Sequence, residues 1–120
     1  MLWAMSRAEK FQEILAMYRR HGWRLVRVLM SAEALAEMGA AVGTSFEGVA
    51  VGESTVDAMW FTRPSQGGRD AWELRLVSEP PYALLELFEP DEEEEDREDV
   101  RREMEARLRE YVAPRDLSGP

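Results

Sequence analysis

The chain has 120 residues, of which 45% are apolar, with a formal net charge of −9 and no cysteine. That length suits one domain, and that apolar share excludes wholesale disorder. The missing cysteine excludes a disulfide scaffold, a thiolate metal site and a cysteine nucleophile. The single histidine, His21, excludes H-E-x-x-H chemistry and multi-histidine metal cages. The acidic balance argues against a nucleic-acid partner held by a basic field.

The acidity is concentrated. Residues 89–99 hold nine carboxylates and one base, a local charge of −8 that leaves the remainder near neutral. No stretch approaches the roughly 20 apolar residues that span a bilayer, so no membrane partner is expected. The apolar start, 1–5, is too short for a signal sequence and lacks a basic leader; it reads as an N-terminal extension. A cytoplasmic protein is expected. Bases that are almost all arginine, with frequent Ala, Gly and Pro, suggest GC-rich coding and a bacterial source.

In chain order, Ser6-Arg7-Ala8-Glu9 forms a capping-box pattern. Phe11, Ile14, Leu15 and Tyr18 follow at helical spacing. Arg19, Arg20 and His21 lie where a helix dipole favours cations, and Gly22 supplies a left-handed stop. A helix is predicted at about 7–21. A strand over 23–30 follows, apolar on both sides, and so is expected to be covered on both faces. Ser31 caps a short predicted helix at 32–38, ended by Gly39. Strands at 46–51 and 54–62 flank Gly52-Glu53, read as a hairpin turn. The polar loop 63–69 leads to an alternating strand, 70–78, with Trp72, Leu74 and Leu76 on its core side. Glu79-Pro80-Pro81 turns the chain into a last strand, 82–88. Pro90-Asp91 opens the final helix, with Asp91 as cap; Val100, Met104, Leu108 and Tyr111 give it an apolar stripe. Residues 113–120 read as a flexible tail.

The pattern predicts a single α+β domain over 1–120. Its order is α-β-α-β-β-β-β-α: three helices against one face of a five-stranded, mostly antiparallel sheet. The stretch between Ser31 and Ser45 is long enough for a crossover, which allows the first strand a parallel neighbour.

The remaining constellations point to no reaction. The run from Asp91 to Asp96 lacks the glycine that a calcium loop needs for its turn, and carboxylates there suit a solvated helix start. Gly67-Gly68-Arg69 precedes a strand rather than a helix, unlike a phosphate loop. Glu73, Arg75 and Glu86 could form a cross-strand charge cluster, either an acid–base group tuned by arginine or an exposed ion pair. Asp57 is read as a solvated carboxylate near a strand start. No serine-triad pattern is present. No catalytic, cofactor or metal residue is assigned, and no cofactor is expected.

The last strand sets Tyr82, Leu84 and Phe88 against Ala83, Leu85 and Leu87. Both sides are apolar, so this strand is either covered twice or closed by another chain. The leading expectation is a non-enzymatic interaction module acting as a homodimer, with Tyr82, Leu84, Phe88, Glu92, Glu93, Glu94 and Glu95 as candidate interaction residues. Two alternatives stand beside it. One is a small-ligand domain with a pocket between the sheet and the first helix. The other is an acidic inhibitor or immunity-type protein for a basic protein partner.

Overall fold

The computed structural model describes residues 5–113; all but Met5 and Ala113 of the expected extension and tail lie outside them. The elements are α1 (Arg7–Arg20), β1 (Arg24–Met30), α2 (Ala32–Met38), α3 (Ala41–Ser45), β2 (Ala50–Glu53), β3 (Ala58–Pro64), β4 (Asp70–Leu76), β5 (Ala83–Phe88) and α4 (Glu94–Val112). The fold is α+β with one five-stranded sheet in the order β2-β1-β3-β4-β5. β1 and β2 are parallel, and the other three pairings are antiparallel.

The capping box forms as the sequence predicts. Glu9 N–H donates to the Ser6 hydroxyl at 3.1 Å, and Ser6 N–H donates to the Glu9 carboxylate at 2.9 Å. These bonds to Ser6 hold the Glu9 carboxyl below its ordinary range. Gly22 takes φ +82° and ends the helix region.

Three expectations need correction. Gly52-Glu53 is not a hairpin turn: both residues belong to β2, opposite Leu29 and Met30 of β1. The chain leaves β2 with Ser54 N–H donating to Met30 O, and β3 then pairs with the other side of β1. Much of the predicted strand at 46–51 is instead a turn that follows α3, and α3 adds a helix to the predicted three. Phe46, its C-cap, packs edge-on against Phe11 of α1.

The helices cover both faces of the sheet, not one. On one face, Phe11, Ile14, Leu15 and Tyr18 of α1, with Ala34 and Met38 of α2, bury Leu25, Val28, Met30, Met59 and Phe61. On the other, Met104 and Leu108 of α4 bury Leu29, Ala58, Trp60, Leu74 and Leu76. A bulge between Leu25 and Arg27 explains why β1 reads as apolar on both sides. The extra residue reverses the alternation. Leu25, Val28 and Met30 therefore share the α1 face, while Arg27 and Leu29 turn to α4.

Leu74 is fully buried, as expected, but Trp72 is only partly so; among the described residues Trp60 is the fully buried tryptophan. Trp60 Nε1–H donates to Glu105 Oε2 at 2.7 Å, and Arg27 reaches the same oxygen at 3.3 Å. The acidic run, read from sequence as a solvated helix start, is instead anchored to the sheet through its arginines. Arg97 pairs with Asp70 at 3.0 Å and donates to Glu89 O. Arg101, 3% exposed, pairs with Glu94 and Glu98 while its guanidinium lies 4.4 Å from the Trp72 ring centre. Burial raises the Glu98 pKa, but the Arg101 hydrogen bond and the charges of Arg27, Arg101 and Arg102 outweigh it and hold that carboxyl below its ordinary range. The helix starts at Glu94 with Glu93 as N-cap and no side-chain cap, so Asp91 does not cap it.

These interactions set the cost of changes along α4. Arg101→Ala removes charged hydrogen bonds and a stacked plane and is expected to destabilise by about 1.5–3 kcal/mol. Glu95→Gln at an exposed position is expected to stay within about 0.5 kcal/mol. Urea melts of the two variants check both values; equal midpoints would show that Arg101 does not anchor the helix.

Candidate functional site at the open sheet edge

Of the two sheet edges, β2 is four residues long and β5 is six. β5 lies at the end of the strand order, and among the described residues no strand pairs its outer side. Its two sets of side chains have different fates. Leu84, Glu86 and Phe88 point to the α4 face, opposite Leu74, Trp72 and Asp70. Phe88 is buried, Leu84 packs into the α4 core, and Tyr82 stacks on Tyr111 with ring centres 3.8 Å apart. Those three candidates serve the interior of this chain. Ala83, Leu85 and Leu87 point to the α1 face, beyond the reach of α1, and Leu85 and Leu87 are 57% and 45% exposed.

The backbone of β5 follows the same alternation. Leu76 N–H donates to Tyr82 O, which makes that pair a hydrogen-bonded one in the β4–β5 ladder. Continuing the register, Leu84, Glu86 and Phe88 direct their peptide groups inward to β4. Ala83, Leu85 and Leu87 direct theirs to the open side. The exposed leucines thus also carry the free N–H and C=O groups. Pro81 and Pro90 bracket this edge, and Glu89 N–H is already taken by Glu92 Oε1 at 2.8 Å.

Beside the exposed leucines lies a polar group on the α1 face. The Tyr18 hydroxyl donates to the Glu73 carboxylate, the Arg75 guanidinium lies 5.9 Å from the Tyr18 ring centre, and Tyr18 stacks on Phe61 at 4.1 Å. Glu86, on the opposite face, is not part of this cluster. Burial, with a further contribution from Glu73, pushes the Tyr18 phenol up to about 12. Met17, Tyr18, His21, Trp23 and Glu73 line a shallow, open cleft of about 190 Å³ between α1 and the sheet. That is where a sheet–helix pocket was expected, but it is below the roughly 300 Å³ at which ligand pockets begin.

The other sequence-marked residues have local roles. His21 Nδ1 lies 2.9 Å from Met17 O at the end of α1, the capping place expected of it. Asp57 is not solvated: its carboxylate accepts Ser31 N–H at 2.7 Å and faces Arg7, fixing the entry to α2. Arg69, after the two glycines, pairs with Glu89 at 2.8 Å. Glu92 folds back onto Glu89 and Glu94 holds Arg101, while Glu93 and Glu95 are exposed. Among the described residues no three acidic or histidine side chains converge as metal ligands, and no helix is long and apolar enough to cross a membrane. No family model, curated protein or solved structure matches this chain.

The Tyr18 shift fixes a pH window. A phenol raised in the folded state stabilises it fully below the unfolded value near 10, and this contribution is lost as pH rises through about 12. Stability is therefore expected to fall between pH 10 and 12 by roughly 2 kcal/mol more in the parent than in Tyr18→Phe. Urea melts across that range check it; parallel profiles would place the Tyr18 phenol in an ordinary environment.

Proposed function

We propose that this chain is a cytoplasmic, non-enzymatic protein-interaction module that acts as a homodimer through the open edge of β5. The observation that carries the reading is the coincidence on one strand of exposed Leu85 and Leu87 with outward-directed peptide groups. Soluble proteins blunt such edges with charge, proline or a covering element; here the alternate residues at the open edge are Ala83, Leu85 and Leu87. A second copy supplies both an apolar surface and complementary hydrogen-bonding groups, and two-fold pairing is the commonest closed arrangement.

Much of the apolar surplus that suggested a dimer from sequence is covered within the chain by α4. The dimer reading therefore rests on β5 alone. The acidic segment supports a basic-partner reading less well, since Arg97 and Arg101 tie its helical part to the sheet.

Light scattering on a sizing column is expected to give twice the chain mass of 13.8 kDa. Leu85→Lys places a charge on the open edge and leaves the core intact. It is expected to give the single-chain mass with an unchanged circular dichroism spectrum. A single-chain mass for the parent at micromolar concentration would overturn the reading.

A further inference from the structure

We infer that the second copy pairs antiparallel along β5 with Leu85 opposite its own symmetry mate, making one continuous ten-stranded sheet. This rests on the edge-mediated dimer above and adds its register.

Three registers preserve the face alternation near the strand centre, because directly opposed residues must share a face. With Leu85 on the two-fold axis, Ala83 faces Leu87 of the partner subunit. Every opposed residue on the open side then directs its peptide group across the junction. Each of these pairs exchanges two hydrogen bonds, so the central pair and its two flanking pairs are all satisfied. With Glu86 on the axis, two carboxylates stand directly opposite, which is destabilising. That register also sets Ala83 against Glu89, whose N–H is already bonded to Glu92. With Leu84 on the axis, Leu87 meets Pro81, which has no N–H to give. In the Leu85-centred register those two poor partners, Pro81 and Glu89, meet each other beyond the ends of β5, so Ala83, Leu85 and Leu87 all find a paired residue within the strand.

The last helix fits the same arrangement. α4 starts beside Phe88 and Asp70 and ends beside Tyr82, so it runs antiparallel to β5. A two-fold axis through β5, normal to the sheet, sets the two copies of α4 antiparallel on one face. The helix is acidic at its start, with Glu94, Glu95, Asp96, Glu98 and Asp99, and near neutral at its end, where Arg107 and Arg109 stand between Glu105 and Glu110. The dimer sets the two acidic starts at opposite ends of the pair, so they do not face each other.

The chain has no cysteine, so an introduced thiol is the only one present. In the proposed register Leu84 faces Glu86 of the partner subunit in a non-hydrogen-bonded pair, about 4.5 Å between Cα atoms and within disulfide reach. Mixing Leu84→Cys with Glu86→Cys chains under mild oxidation is expected to give a covalent two-chain species, while neither variant alone does so efficiently. Leu85→Cys, on the axis at about 5.5 Å, is expected to cross-link alone and reads the same register at an exposed position should Leu84→Cys fail to fold. Efficient cross-linking of Glu86→Cys alone, or of Leu84→Cys alone, would overturn the register in favour of the one centred there. A two-chain mass with no cross-link in any combination of folded variants would overturn edge pairing and leave a dimer formed elsewhere. A single-chain mass would overturn the dimer itself.

Discussion

A sheet with apolar side chains on both faces must be covered twice, and here half of that work falls to the most highly charged helix of the chain. α4 offers little apolar surface beyond Val100, Met104 and Leu108. It completes its cover with guanidinium planes. Arg101 lies over Trp72 and Phe88, and Arg97 lies over Phe88. Arg97 Nε and Arg101 Nη1 meet no hydrogen-bond acceptor among the described residues, and the aromatic rings beside the two guanidiniums supply an electrostatic substitute. Carboxylates along the same helix neutralise the buried cation, so the acidic run is partly a counter-ion supply for its own arginines.

The limit of that coverage defines the surface that remains. On the α1 face, helical cover reaches β1 and β3 and stops at Tyr18, whose hydroxyl meets Glu73 of β4. The next strand lies past the helix layer. Its α4-side residues are enclosed, whereas its α1-side leucines and the outward peptide groups are not. Apolar exposure and free backbone groups coincide because both follow the same two-residue period. That coincidence on a single strand is what the proposed strand addition rests on.

Much of the architecture was legible from local signals. The capping box at Ser6, the stop at Gly22 and the alternation of Trp72, Leu74 and Leu76 lie in the elements they predict. The failures have physical causes. A period-two reading of β1 could not register the bulge before Arg27, which moves Leu29 to the other face. Gly52-Glu53 has hairpin chemistry, but β1 takes the place between β2 and β3, a long-range pairing that turn residues do not encode. Charge counting from 89 to 99 treated the segment as solvated, because the aromatic partners of Arg97 and Arg101 lie on distant strands. For the same reason the α4 side of β5, with Tyr82, Leu84 and Phe88, looked as available as the other. Only the position of α4 distinguishes them.

Whether the outer side of β5 is a pairing surface is tested most directly by amide hydrogen exchange resolved by residue. In an unpaired edge strand, Leu84 and Glu86 N–H groups are protected by β4, while those of Ala83, Leu85 and Leu87 exchange at the rate of exposed peptides. Edge pairing predicts slow exchange at all five positions in concentrated protein, with Ala83, Leu85 and Leu87 losing protection on dilution before the other two. Fast exchange at Ala83, Leu85 and Leu87 at every concentration, with Leu84 and Glu86 still protected, would contradict it.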